Sequence, residues 1–349
     1  MKGSLERVRR VMAHQKPDHI PLFDLLPNDA VLRHFNNGRP VEVGDDRSGI
    51  RAIVAATDGS RHSYFSPMAA RHETPLDGRK RIYERWTVWT APRVFSSSRE
   101  YEDVKRCELA ERRRRMPERI VVNADPGYRK LYDWFGEDYY YLMSVPHVEL
   151  MSIYSEVGLE AFSYYLADCE SVIIEQIEIN TEHACRWAAG IPADDPFHAV
   201  FIGDDIAFKS GPMVNPRWLE GHYFPCLRRV IRAFHARGKK VVFHSDGNLN
   251  AIMGSLVEAG IDALNPIEIM AGMDLKDLHK RYPKLVFAGG IDVSHLLPFG
   301  TPREIKDAVV KAIEDTEGQI LVGSSTEVTN MVPLENFLAM REAAMECHW

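Results

Sequence analysis

The 349-residue sequence predicts an α/β fold: a (β/α)8 TIM barrel with an N-terminal extension and a small hairpin insertion. Two observations carry this expectation. Short strands that are apolar along their length alternate with amphipathic helical segments, the pattern of a parallel sheet covered by helices. After residue 198 such strands recur roughly every 20 to 45 residues, which is the rhythm of a barrel.

Seven stretches have the strand form: HIPLFD (19–24), RIVVNAD (119–125), HAVFIGDD (198–205), KVVFHSDG (240–247), DALNPIE (262–268), LVFAGGID (285–292) and QILVGSS (319–325). The eighth is expected within IVAATDGSRHSYF (53–65). Segments such as DLKDLHKRY and PREIKDAVVKAIEDT repeat apolar residues at helical spacing. Residues 78–97 alternate like a hairpin and read as an insertion, with Trp86 and Trp89 as its packing residues. No linker or repeat divides the chain, so residues 1–349 are expected to form one barrel domain.

Composition excludes several classes. A net charge of −7 without a basic stripe disfavours nucleic acid, and the run ERRRRMPER (111–119) reads as a solvated helix face. No stretch approaches the roughly 18 apolar residues of a membrane span, and the charged start lacks a signal-peptide core, so a cytoplasmic protein is expected. Five separated cysteines without a C-x-x-C pair support neither a disulfide framework nor a zinc ribbon.

Polar residues gather at the C-terminal ends of the expected strands, which in a barrel converge on one mouth. They are Asp24, Asp204 and Asp205, His244 and Asp246, Asn265 and Glu268, Asp292, and Ser324, Ser325 and Glu327. Helix capping competes for the Asp, Asn and Ser positions, most strongly at Asp292, Ser324 and Ser325. It does not explain His244, because histidine is a poor cap. His244 and Asp246 are two apart on an extended segment and leave the same face, so both can meet one ion or ligand. With Asp204 and Asp205 from the preceding strand they form the expected catalytic set, suited to proton transfer or to a divalent metal. Asp24, Asn265, Glu268, Asp292, Ser324 and Glu327 are the expected substrate-binding residues.

The stretch from GDDIAFKSGPMVNPRWLEG through KKVVFHSDGNLNAIMGSLVEAGIDALNPIE, followed by LVFAGGID and ILVGSSTEV, resembles the uroporphyrinogen decarboxylase superfamily. It is most similar to the branch of cobamide-dependent methyltransferases and O-demethylases. The likeness is dense over 195–345 and loose before it. It implies a barrel, a small-molecule substrate, a corrinoid carried on a partner protein, zinc or another divalent metal at the mouth, and frequent pairing into homodimers.

Two departures refine what the resemblance implies. The arginine motif with which decarboxylases proper grip an acidic porphyrinogen is absent, since the chain reads LLPNDAVLRHF after its first strand. Methyltransferases of the branch hold zinc with a His-x-Cys pair and a later Cys. Here His244 matches the histidine, but Asp246 and the pair Ser324 and Ser325 stand where thiolates are expected. A harder His/carboxylate set, with His244 and Asp246 as metal ligands, suits polarising an ether or alcohol oxygen more than activating a thiol. The expectation is therefore a methyltransferase that moves a methyl group between a methoxylated or methylated small molecule and a corrinoid. The alternatives are a decarboxylase or lyase of another small acid, and a barrel that binds without catalysis.

Overall fold

The structure is a computed structural model and describes residues 3–61, 65–122 and 126–347. Seven parallel strands form one sheet: β1 (Gly59–Arg61), β2 (Tyr140–Ser144), β3 (Ala199–Gly203), β4 (Lys240–His244), β5 (Ala263–Asn265), β6 (Val286–Ile291) and β7 (Ile320–Ser324). Each hydrogen-bonds to the next along the chain, so consecutive strands are neighbours throughout the sheet. The eighth position is filled by two residues of the first expected strand. Leu22 bridges Val322 of β7 and Phe23 bridges Gly59 of β1, both in parallel, so the sheet curls and meets itself.

Five of the expected strands therefore coincide with β3 to β7, a sixth supplies the closing bridges, and β1 lies within 53–65. The expectation for RIVVNAD is corrected: residues 119–122 are irregular, and 123–125 lie outside the described residues, as do 62–64. The remaining position is taken by β2, within the aromatic run DWFGEDYYYLMSVPH (133–147), which the resemblance would place across the mouth and which reads equally as a buried helix. Tyr140 and Leu142 face the barrel interior while Tyr141 faces the helices, so these rings are core and not lid. The alternating stretch 78–97 forms the expected antiparallel hairpin, Arg81–Tyr83 with Val88–Thr90, and Arg71–Glu73 from just before it adds a third strand. Within it Trp86 packs against the core, whereas Trp89 is exposed.

The period of two divides the core into two layers. On β3, Ala199 and Phe201 point inward while Val200 and Ile202 meet the helices; on β4, Val242 points inward while Val241 and Phe243 point out. Continuing that alternation turns His244 and Asn265 into the barrel at its C-terminal mouth. The opposite mouth is plugged by the helix Ser4–Met12, whose Val8, Val11 and Met12 join the interior layer. Among the described residues, no helix is long and apolar enough to cross a membrane.

The plug is fastened by charge. Arg7 is buried and pairs with the buried Asp58, which also accepts hydrogen bonds from the Ser4 hydroxyl and the Leu22 amide. Removing one partner of a buried pair leaves the other uncompensated. Arg7→Met is therefore expected to destabilise the fold by about 3–5 kcal/mol. Arg10→Met, which removes an exposed pair with Glu6 and an exposed hydrogen bond to the Lys16 carbonyl, is expected to cost under about 1 kcal/mol. Urea denaturation midpoints of the two variants check this; equal midpoints would contradict it.

Candidate active site at the barrel mouth

Strand β4 ends at His244, and the chain turns through Ser245, Asp246 and Gly247. The turn is tight for an identifiable reason. Gly247 has φ +93°, and a Cβ there would meet the Ala207 and Phe208 carbonyl oxygens at 2.6 and 2.7 Å. The Gly247 amide donates to the Glu268 carboxylate (2.7 Å) and the Asn248 amide to the Phe208 carbonyl (2.8 Å). Asp246 is thereby held at the mouth.

His244, Asp205 and Asp246 converge. One ligand-type atom from each lies within 4.8 Å of the others. His244 Nε2 is 3.6 Å from Asp205 Oδ1, and the Asp246 amide donates to that same oxygen at 3.0 Å. Asp246 Oδ1 accepts the Thr326 hydroxyl at 2.6 Å, and the Asp205 carbonyl accepts the Tyr154 hydroxyl at 3.0 Å. The imidazole is oriented from behind: its Nδ1 lies 2.8 Å from Asn265 Oδ1, while Asn265 Nδ2 donates to the Ala288 carbonyl. An amide oxygen only accepts, so Nδ1 carries the proton and the Nε2 lone pair faces the two carboxylates.

Arg61, the last residue of β1, completes the site and has no counterpart among the residues expected from sequence. Its Nη1 is 3.4 Å from both imidazole nitrogens of His244. Equal approach to two atoms of one ring places the guanidinium over the ring face. Its carbon lies 5.2 Å from the centre of the Phe201 ring, and its Nη2 lies 3.6 Å from Glu327. Burial first, and then Arg61, lower the pKa of His244 against the opposing pull of Asp205 and Asp246. A neutral imidazole with an aimed lone pair is the form a metal ligand takes.

The other expected residues divide. Glu327 lies at the mouth; burial raises its carboxyl, Arg61 opposes that rise, and Asp246 adds to it. Glu268 and Asn265 support the turn and the imidazole. Asp204 points away from the triad and accepts the amides of Leu150 and Met151 and the Tyr223 hydroxyl. Asp292 accepts the amides of Ser294, His295 and Leu296, the capping role that competes for such residues in the sequence. Asp24 and Ser324 bind each other, and the Ser325 hydroxyl accepts the Val293 amide.

Could the triad hold an ion? One imidazole and two carboxylates at this spacing offer three N/O donors, suited to zinc or a harder divalent cation, with room for an external ligand. The residues fit. The Nε2 lone pair and the carboxylate oxygens converge, and Asn265 and Thr326 supply the outer hydrogen bonds that orient ligands in metal sites.

A curled parallel α/β barrel with an ionisable cluster at the C-terminal mouth defines the class. Comparison with known proteins finds one family likeness: residues 177–347 match the uroporphyrinogen decarboxylase (URO-D) family. Twenty-one chains of solved structures match it. Among them is a methyltransferase from Methanosarcina mazei, 15% identical, with 99% of this chain and 98% of that one covered at a TM-score of 0.67. At that identity the likeness speaks for the fold alone. No curated protein sequence matches the chain.

Asp204 and Asp24 generate a pH dependence. Burial raises each carboxyl to about 7, against the hydrogen bonds that favour the anion. In an unfolded chain a carboxyl titrates near 3.9. The folded state then holds protons that the unfolded state has released, so this contribution is full below about pH 4 and is lost as pH rises through 7. Asp204→Asn is expected to flatten the decline in denaturation midpoint between pH 5 and 8. Parallel curves for the two proteins would refute the assignment.

Proposed function

We propose that this protein is a methyltransferase that moves a methyl group between a methoxylated or methylated small molecule and a corrinoid carried by a partner protein. The observation that carries the reading is the His244, Asp205 and Asp246 triad, open at the mouth of a superfamily barrel whose structural relatives include a methyltransferase. The donors are hard, which favours a reaction at oxygen over one at sulfur.

Removing a methyl group from an ether oxygen needs the carbon aligned for in-line attack and the charge on the departing oxygen neutralised. A divalent ion bound by His244, Asp205 and Asp246 would supply Lewis-acid polarisation of that oxygen. The chain supplies the rest. Asn265 fixes the imidazole tautomer, Arg61 disfavours imidazolium, and Thr326 fixes the Asp246 carboxylate. Glu327, its carboxyl raised at the mouth, is the group suited to hold a proton for the oxygen that leaves. The Phe201 ring and the Arg61 guanidinium form the inner wall against which a flat substrate can rest.

Metal analysis after dialysis against zinc, with methyl transfer to cob(I)alamin from a panel of methoxyaromatics, tests the reading. One ion per chain and methylcobalamin formation are expected, both lost in His244→Ala. A protein that neither retains metal nor methylates cob(I)alamin refutes it. Asn265→Ala, which leaves the ligands in place, is expected to weaken metal affinity by about 10 to 100-fold. Competition with a fluorescent chelator measures this, and an unchanged affinity would remove Asn265 from the site.

A further inference from the structure

A second hollow lies at the opposite end of the barrel, where no residue of the site described above reaches. Its volume is about 450 Å³, and it is bounded by the plug helix, the start of β2 and the segments leading into β3 and β4. Arg9, Arg237, Lys239 and Lys240 line it, and Asp195 is its one lining carboxylate. Asp195 is taken by Lys239 in a buried pair at 2.9 Å, and Lys240 is held by Asp262 at 2.7 Å. The two guanidiniums are left over. Arg9 lies 3.1 Å from the His198 ring, and Arg237 donates to the Ile191 carbonyl; among the described residues neither has a carboxylate partner. In a chain of net charge −7, a concave surface carrying this excess of cations is a local reversal of sign.

Apolar and aromatic groups share the hollow. Met12, Ala13 and Phe197 line it, and the His198 ring is stacked with Tyr140. The volume lies within the roughly 300–1,000 Å³ of small-molecule sites and is far larger than one phosphate needs. We propose that this hollow binds an organic phosphate, with the phosphate between Arg9 and Arg237 and the organic body against His198 and Met12. Guanidinium suits that dianion because its parallel N–H groups match two phosphate oxygens. His198 reports on occupancy: burial, Arg9 and Lys239 push its pKa down to about 4 against Asp195, and a dianion beside it reverses that pressure.

The full chain is titrated calorimetrically with adenosine 5′-monophosphate, ribose 5-phosphate, inorganic phosphate and adenosine. Saturable binding of the organic phosphates is expected, at least about tenfold tighter than inorganic phosphate, with none for adenosine. Arg9→Ala/Arg237→Ala is expected to weaken it at least about tenfold, while Arg39→Ala/Arg51→Ala leaves it unchanged and both variants keep the wild-type circular dichroism. In NMR the His198 imidazole is expected to titrate at higher pH when the ligand is bound. Failure of both organic phosphates to bind at ~1 mM, affinity equal to inorganic phosphate, binding of adenosine, or indifference to the Arg9/Arg237 variant overturns the proposal. Because the hollow and the mouth are separate, methyl-transfer assays on the same variants are unaffected by either outcome.

Discussion

The barrel depends on a seam two residues long. A parallel sheet that curls on itself must join its first and last strands, and here Leu22 and Phe23 make that join with one bridge to each side. So short a ladder is reinforced at both ends by a buried carboxylate. Below it, Asp58 accepts from the Leu22 amide, the Ser4 hydroxyl and Arg7. Above it, Asp24 accepts from the amide and hydroxyl of Ser324 at the end of β7 and from the Leu25 amide. These side chains add to the few backbone bonds of the seam, such as the Phe23 amide to the Val322 carbonyl (2.8 Å) and the Val322 amide to the Pro21 carbonyl (2.9 Å). Plug, seam and mouth are therefore one connected structure.

Closure is what gives the site its geometry. In a closed parallel sheet, residues paired across strands point to the same side, so register decides what meets at the mouth. Arg61 pairs with Leu142, an interior residue, while His244 pairs with Gly203 and with Asn265. Inward placement of Arg61, His244 and Asn265 follows. Asp205 and Asp246 lie just beyond the strand ends, where the backbone is free to turn their carboxylates toward the imidazole. Thr326 reaches Asp246 from beyond β7. A shift of one residue in β1 or β4 would send Arg61 or His244 into the helical layer.

Much of this was legible in the sequence, and the exceptions have physical causes. Strands β3 to β7 were visible because a buried parallel strand must be apolar on both faces, as HAVFIG and KVVFH are. Strand β1 was obscure because Gly59, Ser60 and Arg61 have almost no apolar side chain; Ser60 is buried by donating to the Asp24 carbonyl instead. Strand β2 was hidden in an aromatic run, where alternation between two apolar environments leaves no pattern to read. His244, Asp205 and Asp246 could be read as a cluster because strand ends converge in any such barrel. Which member of Asp204-Asp205 faces the site could not, since adjacent residues differ only in the face they take. Arg61 was missed with its strand.

A carboxylate at position 246, where the resemblance leads one to expect a thiolate, is coherent with everything around it. A thiolate is a soft ligand and a weak hydrogen-bond acceptor, whereas the Asp246 carboxylate accepts the Thr326 hydroxyl with one oxygen and keeps the other for a ligand. At the second expected thiolate position, Ser324 is bound to Asp24 and Ser325 to the Val293 amide, so the last strand serves the seam and not the ion. Its place is taken by Asp205, whose carboxylate is held by the Asp246 amide from the neighbouring strand end and whose carbonyl is held by the Tyr154 hydroxyl from the helix Leu150–Val157. The donors come from two adjacent strands, and Arg61, against the His244 ring, and Glu327 complete the mouth. The one mouth thus gathers three hard donors, a guanidinium and a carboxyl raised by burial. In the proposed reaction, an oxygen held at this mouth would meet positive charge from an ion on the three donors and a proton from Glu327, which is what an ether or alcohol oxygen needs as its methyl leaves.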